Sequence, residues 1–325
     1  MALRFAIQTP MTPGAIGVVA LCSEDLDTDL APLGLSVRVG QVRLCDLLGV
    51  DRGLVARWSP TRAELTPHGG VRVVRSLAEA LRARGVTESA LDPREAYPEA
   101  ESLIEARALV ALSMAPSERA IDLLLDQPRR WAGVDEGVSG ECLAPNASLR
   151  HLLSPPLVVI AGPPNIGKST LVNELSGRRV SIVADESGTT RDHVGVTLEL
   201  DGLTVRCLDL PGLEEGASGP DAHAQTLSRR VLRGADLVLL CGSGGAPPPD
   251  PARLGIEAAR TRRVQLRADL GETGWEADLR VSALKREGLE EMAWAVRGAL
   301  VPDAAIEDPR PWRFWEASPG GEGRS

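Results

Sequence analysis

One octapeptide constrains the fold of this chain more than any other feature. Gly162-Pro163-Pro164-Asn165-Ile166-Gly167-Lys168-Ser169 fits GxxxxGKS without a mismatch. It follows the continuous apolar run Leu157–Ala161 (LVVIA) and opens a helix-like stretch from Lys168 to Leu175. Strand, glycine-rich turn and helix is the context in which backbone N–H groups converge on phosphate oxygens. Gly162 and Gly167 give that turn its backbone freedom. The helix N-terminus adds the positive end of its dipole. Lys168 supplies a charge for β- and γ-phosphates, and Ser169 a hydroxyl for a magnesium ion between them. Asn165, Ile166 and Thr170 complete the cradle.

Around this loop, strand and helix signals alternate. Strands are expected at Val194–Leu200, Leu203–Leu208 and Leu237–Cys241, with another near Val264 and a short one at Leu279-Arg280. Helices are expected at Asp221–Arg233, Asp250–Arg260 and Glu287–Leu300. Such alternation predicts an α/β domain whose mostly parallel sheet is covered by helices on both faces. The front of the chain reads differently. Ala15–Leu21 suits a buried strand, Ser36–Leu44 alternates imperfectly, and Val71–Arg84 puts Val71, Val74, Leu77, Ala78 and Leu81 on one helical face. Glu99–Leu125 is helical in pattern, broken at Pro116-Ser117, with Leu103, Ala106, Val110 and Met114 on one stripe. The expected order is a small α+β domain (1–92), a reduced helical segment and linker (93–155), the nucleotide domain (156–301) and a disordered Pro/Gly-rich tail (302–325).

Composition excludes several classes. With 36 basic and 45 acidic residues the net charge is −9, which argues against nucleic-acid binding by bulk charge. The five cysteines form no CxxC pair and read as reduced thiols of a cytoplasmic protein. No apolar run has membrane-spanning length, and the N-terminus lacks the apolar stretch of a signal peptide. Trp312-Arg313-Phe314-Trp315 mixes aromatics with a cation; it suits either stacking on a partner or folding back over an apolar patch.

Three further segments follow the octapeptide in order. Gly188-Thr189-Thr190-Arg191-Asp192 offers hydroxyls to a magnesium ion. Asp209-Leu210-Pro211-Gly212 ends a strand and fits DxxG, whose aspartate holds the metal through water while its glycine N–H senses the γ-phosphate. Val281-Ser282-Ala283-Leu284 is a turn whose backbone can read a purine O6.

GPPNIGKST, SGTTRD, DLPGL and VSAL, in this order and spacing, make the chain resemble the MnmE-type tRNA-modification GTPases. The resemblance covers residues 155–300. It extends more weakly to Thr9–Leu21, Glu64–Gly70 (ELTPHGG) and Glu99–Leu125. His68-Gly69-Gly70 itself reads best as a turn that needs φ > 0.

The resemblance implies a P-loop GTPase domain and the cofactors GTP/GDP, Mg2+ and K+. Lys168 and the loop amides would bind phosphates. Ser169, Thr190 and Asp209 would arrange magnesium, and Asn165 would hold a potassium ion that offsets transition-state charge. The family's water-orienting glutamate falls on Asp221, which reads equally well as a helix N-cap. Implied partners are a flavin-dependent modification protein, tRNA, and a second copy met through the N-terminal and G domains; no membrane is implied.

The chain also departs from the family. Leu266-Arg267-Ala268-Asp269 stands where N-K-x-D reads guanine. Asp269 can still accept from the N1 and N2 groups of guanine, but the asparagine is lost. Asp92–Tyr97 replaces the family's folate stretch, and no C-terminal cysteine follows the nucleotide domain. Three readings result: a potassium-stimulated GTPase, a degenerate guanine-nucleotide switch with little hydrolysis, and, remotely, an ATPase, which Asp269 opposes.

Overall fold

The computed structural model describes residues 3–10, 14–138, 140–176, 195–210, 228 and 230–317. The chain divides into two compact units. The first comprises Met1–Met114 and Leu124–Gly133, the second Ala115–Leu123 and Val134–Ser325.

The first unit holds β1 (Arg4–Ile7), β2 (Val19–Cys22), β3 (Val42–Leu47), β4 (Asp51–Ser59), β5 (Arg62–Thr66), α1 (Val71–Ala83), β6 (Thr87–Glu88) and α2 (Leu103–Met114). Its sheet runs β3-β4-β5-β2-β1-β6. Only β1 and β6 pair in parallel. One face packs Phe5, Leu21, Leu47 and Leu65 against Leu77 and Leu81 of α1, which bury the apolar stripe expected from the sequence. Buried among them is Arg57, whose guanidinium pairs with Asp27 and also donates to the carbonyls of Val37 and Pro60 at 3.3 and 3.0 Å. Those partners replace the water that the charge gives up.

Three local expectations change here. The alternation of Ser36–Leu44 becomes a strand only from Val42, and it turns Val42 and Leu44 outward. In α2 the buried residues are Ile104, Ala106 and Ala108, while Met114 is exposed; apart from Glu105, Arg107 and Ser113 the helix is apolar, so periodicity selects no single face. The His68-Gly69-Gly70 turn does not use φ > 0, since Gly70 sits at φ −67. It uses close approach instead, because a Cβ on Gly69 would lie 2.6 Å from the Gly14 carbonyl oxygen.

The second unit holds β7 (Leu157–Ala161), α3 (Lys168–Ser176), β8 (Gly195–Leu200), β9 (Leu203–Asp209), β10 (Leu237–Gly242), β11 (Thr261–Leu266), β12 (Leu279–Val281), α4 (Leu289–Leu300) and α5 (Asp303–Ile306). Its sheet runs β12-β11-β10-β7-β9-β8. All neighbours are parallel except the β8–β9 hairpin. Parallel strands share one carboxyl edge, so the loops after β7, β9, β10, β11 and β12 gather there. This is the mixed α/β, parallel-rich fold expected from the alternation. The helix expected over Asp250–Arg260 shrinks to Pro251–Leu254, because Gly255 at φ +68 turns the chain left-handed.

The segment 93–155 is not a module of its own, since it is divided between the two units. Nor is the tail disordered from residue 302. Residues 303–306 form α5, and Trp312 and Phe314 are fully buried. The Trp312 indole N–H donates to Asn146 Oδ1 at 2.9 Å, and Arg313 donates to the carbonyls of Glu136 and Val138. Pro/Gly composition suggested a tail unable to bury enough surface; two large aromatics provide that surface. Among the described residues, no helix is long and apolar enough to cross a membrane.

Candidate nucleotide-binding site

The site begins where β7 ends. Val158–Ala161 are buried between β10 and β9, so the chain must leave the sheet abruptly at Gly162. A Cβ on Gly162 would lie 2.2 Å from the Cys241 carbonyl oxygen, a distance that only glycine permits. Asn165 turns left-handed at φ +60 and Gly167 at φ +105, and α3 starts at Lys168. Ile166 is buried and anchors the loop, whereas Asn165, Ser169 and Thr170 are exposed. Lys168 is 7% exposed, and its Nζ donates to the carbonyls of Gly162 at 3.1 Å and Pro163 at 2.8 Å. The ammonium thus lies within the loop, held by acceptors that a phosphate can replace.

Asp209 arrives from the adjacent strand, in register with Ile160. Its Oδ2 accepts from Ser169 Oγ at 2.5 Å, while its Oδ1 is buried with no hydrogen-bond partner among the described residues. A buried, unsatisfied carboxylate oxygen beside a hydroxyl fits a hydrated cation. Among the described residues no three His, Cys, Asp or Glu side chains cluster as a metal site. One carboxylate and one hydroxyl suit magnesium, which keeps waters and takes phosphate oxygens rather than a full protein cage.

The loops after β11 and β12 form the other end. Arg267, at φ +53, sends Nη2 to the Asn165 carbonyl oxygen at 2.7 Å. Its Nε lies 3.6 Å from where a Gly167 Cβ would stand, so the guanidinium lies along the phosphate loop. Asp269 is exposed, and its Oδ1 accepts from buried Ser282 Oγ at 2.6 Å. Ser282 Oγ in turn accepts from the Lys285 N–H at 3.2 Å, and Ala283 follows it half-buried. Leu266 is 2% exposed and brings no polar atom to the site from its side chain. Ser243, Gly244, Gly245, Arg267, Leu270 and Gly271 line a cavity of about 280 Å³.

The structure therefore brings together the phosphate loop with Ser169 and Asp209, and separately Asp269 with Ser282. Thr189, Thr190, Gly212 and Asp221 lie outside the described residues. Sequence reasoning missed the wall formed by Ser243–Gly245; its signal was a Gly-Ser-Gly-Gly turn directly after an apolar strand. The two buried thiols nearby are not nucleophiles. Burial raises Cys207 to about 12 and pushes Cys241 up further, which keeps both protonated.

Comparison with known proteins gives the family. A family model described as "50S ribosome-binding GTPase" matches residues 157–264. The tRNA modification GTPase MnmE of Methylobacterium radiotolerans is 32% identical over 345 residues, covering 88% of this chain and 77% of that protein. The chain belongs to the MnmE family. Its MnmE relative in Rhodopseudomonas palustris is 30% identical, with 89% of this chain and 79% of the relative aligned. The MnmE of Acidiphilium cryptum is 40% identical over 150 residues, 46% of this chain and 34% of that protein. The chain thus spans from about a third to four-fifths of the length of these MnmE proteins.

Proposed function

We propose that this protein binds GTP and GDP with magnesium and hydrolyses GTP, and that it serves tRNA modification as its MnmE relatives are named for. The observation that carries the reading is the pairing of two half-sites on one sheet edge. Lys168, Ser169 and Asp209 suit phosphates and a cation, and Asp269 held by Ser282 suits a guanine edge. Asp269 favours guanine over adenine because adenine lacks the N1–H donor that a carboxylate needs.

Ser169 and Asp209 would hold magnesium together with Thr190, and Asn165, exposed at the bend of the loop, would hold potassium. Bound cations supply charge that offsets what develops on the transferring phosphoryl oxygens. Asp221 would position water. Lys168 exchanges its carbonyl acceptors for phosphate oxygens, and Arg267 keeps the loop and the base-reading turn in fixed relation through Asn165.

The finer partners follow from the family: a flavin-dependent modification protein, tRNA, and a second copy of this chain. The exposed Val42 and Leu44 on edge strand β3, next to Leu54 and Trp58 on β4, support pairing of first units. A cytoplasmic location accords with these partners.

One observation favours a second reading, a guanine-nucleotide switch with little turnover: buried Leu266 replaces a polar side chain in the base site. Hydrolysis of GTP in potassium against sodium chloride at equal ionic strength, with ATP as control, decides between them. Faster, GTP-specific turnover in potassium supports the GTPase; binding without turnover in either salt leaves the switch.

A further inference from the structure

The tip of the β8–β9 hairpin is bound more heavily than a two-residue turn requires. Asp201 and Gly202 form it at φ +50 and +76, the conformation that an Asp-Gly hairpin turn adopts unaided. Yet Arg119 donates from Nε to the Asp201 carbonyl at 2.7 Å, and from Nη2 to both carboxylate oxygens at 2.9 Å. The Arg119 N–H reaches the Gly202 carbonyl at 3.2 Å. Thr204 adds two bonds, from its N–H to Ser117 Oγ at 3.1 Å and from Oγ1 to the Pro116 carbonyl at 2.6 Å. From α4, Arg297 donates Nε to Asp201 Oδ2 at 2.8 Å.

Arg297 is 2% exposed, and its Nη1 also serves Asp303 Oδ1 at 2.6 Å. Two guanidiniums thus converge on one carboxylate, from elements distant in sequence. Burial raises the carboxyl of Asp201, but the hydrogen bonds from Arg297 and Arg119 outweigh it and hold the group below the usual carboxylate range. Arg297 is the buried member, while Arg119 and Asp201 keep 35% and 28% of their side-chain surface exposed, so losing Asp201 would leave the Arg297 charge buried with one partner fewer.

The consequence lies at the other end of the strand. β9 runs without a break from Leu203, beside the clamp, to Asp209, beside Ser169. A slip of one residue along β7 would move the Asp209 carboxylate by about 3.3 Å. It would also turn the buried side chains of Leu203, Val205 and Cys207 to the other face. Anchoring the tip fixes that register at the end opposite the nucleotide.

Resting on the magnesium-nucleotide reading of the site, we propose that Arg119 and Arg297 are positioning residues that, through Asp201 and β9, set the Asp209 carboxylate against Ser169 for the metal. Arg119 belongs to Ala115–Leu123, which packs with this unit although the chain on both sides of it packs with the other.

The test is GDP affinity measured across a magnesium titration in the full chain, for wild type, R119M, D201N and R119K. The expected result is an increase of about threefold to tenfold in the magnesium concentration that half-maximally tightens GDP in R119M and D201N. GDP affinity in the presence of a chelator stays unchanged, and R119K, which keeps the charge without the fork, lies between. A role confined to stability lowers the unfolding midpoint but leaves the magnesium midpoint where it was. That outcome in either folded variant overturns the proposal, and D201N preserves the shape of the turn if R119M does not fold. A wild type that binds GDP with no magnesium dependence, or not at all, overturns the reading of the site and the clamp's role with it.

Discussion

Ser169 Oγ and Asp209 Oδ2 lie 2.5 Å apart, joined by a hydrogen bond between residues forty positions apart in sequence. The bond closes the gap between the phosphate loop and the neighbouring strand, and leaves Asp209 Oδ1 buried and unpaired among the described residues. A site with an acceptor in excess is prepared for a cation. D209N removes the charge but keeps the shape. It is expected to weaken the magnesium-dependent part of GDP affinity by about tenfold to a hundredfold, the range for a group that holds a metal through water. Affinity in a chelator should be nearly unaffected; if it falls equally, Asp209 acts on the nucleotide and not on the metal.

At the base end, Ser282 holds one oxygen of Asp269, which fixes the plane of the carboxylate. D269N replaces an acceptor pair by one acceptor and one donor. Xanthine, with a carbonyl where guanine has its amino group, complements that pattern. The variant should lose at least about a hundredfold in GDP affinity and gain preference for XDP. Competition of the two diphosphates against one fluorescent nucleotide reads both changes, and an unaltered preference would place base recognition elsewhere.

Trp312 is fully buried, with its ring centroid 5.8 Å from that of Phe314 and its N–H on Asn146. Trp312→Ala should cost about 3–5 kcal/mol of stability. Urea unfolding measures it; a loss below 1 kcal/mol would mean that the tail contributes little to the second unit.

In the first unit, hydrogen bonds from Arg129 and Arg130 hold the Asp126 carboxyl down at about 2. Its unfolded value is about 3.9. Because the folded value is the lower one, the stabilisation is complete above the unfolded value and fades as pH falls from there towards 2. The effect is small, since the carboxylate is 30% exposed and partly screened. The difference in urea midpoint between wild type and D126N should be constant from pH 7 to 5 and should close towards pH 2. A difference independent of pH would show that the pair contributes only packing.

Legibility in the sequence tracked distance along the chain. The octapeptide and the strand before it are local, and their geometry followed from local rules; β7 was bounded correctly because an unbroken apolar run has few alternatives in a parallel sheet. Ser282 was found from its motif, but its bond to Asp269 and the reach of Arg267 to Asn165, 102 residues away, needed the fold. The clamp on Asp201 was invisible for the same reason: an Asp-Gly turn looks complete by itself, and its partners stand 82 and 96 positions away. The tail is legible in part: its Pro/Gly composition points to disorder, whereas the fold-back reading of Trp312-Arg313-Phe314-Trp315 is the one observed, with Trp312 and Phe314 buried. In α2 an excess of apolar residues conceals the buried face.

Every role assigned to Lys168, Ser169, Asp209 and Asp269 requires that the sheet edge be a guanine-nucleotide site. Calorimetric titration of the purified protein with GDP and with ADP, each in saturating magnesium, tests it most directly. GDP should bind at least about a hundredfold more tightly than ADP, because only guanine offers donors to Asp269. Equal affinity, or no binding of either nucleotide, would contradict it.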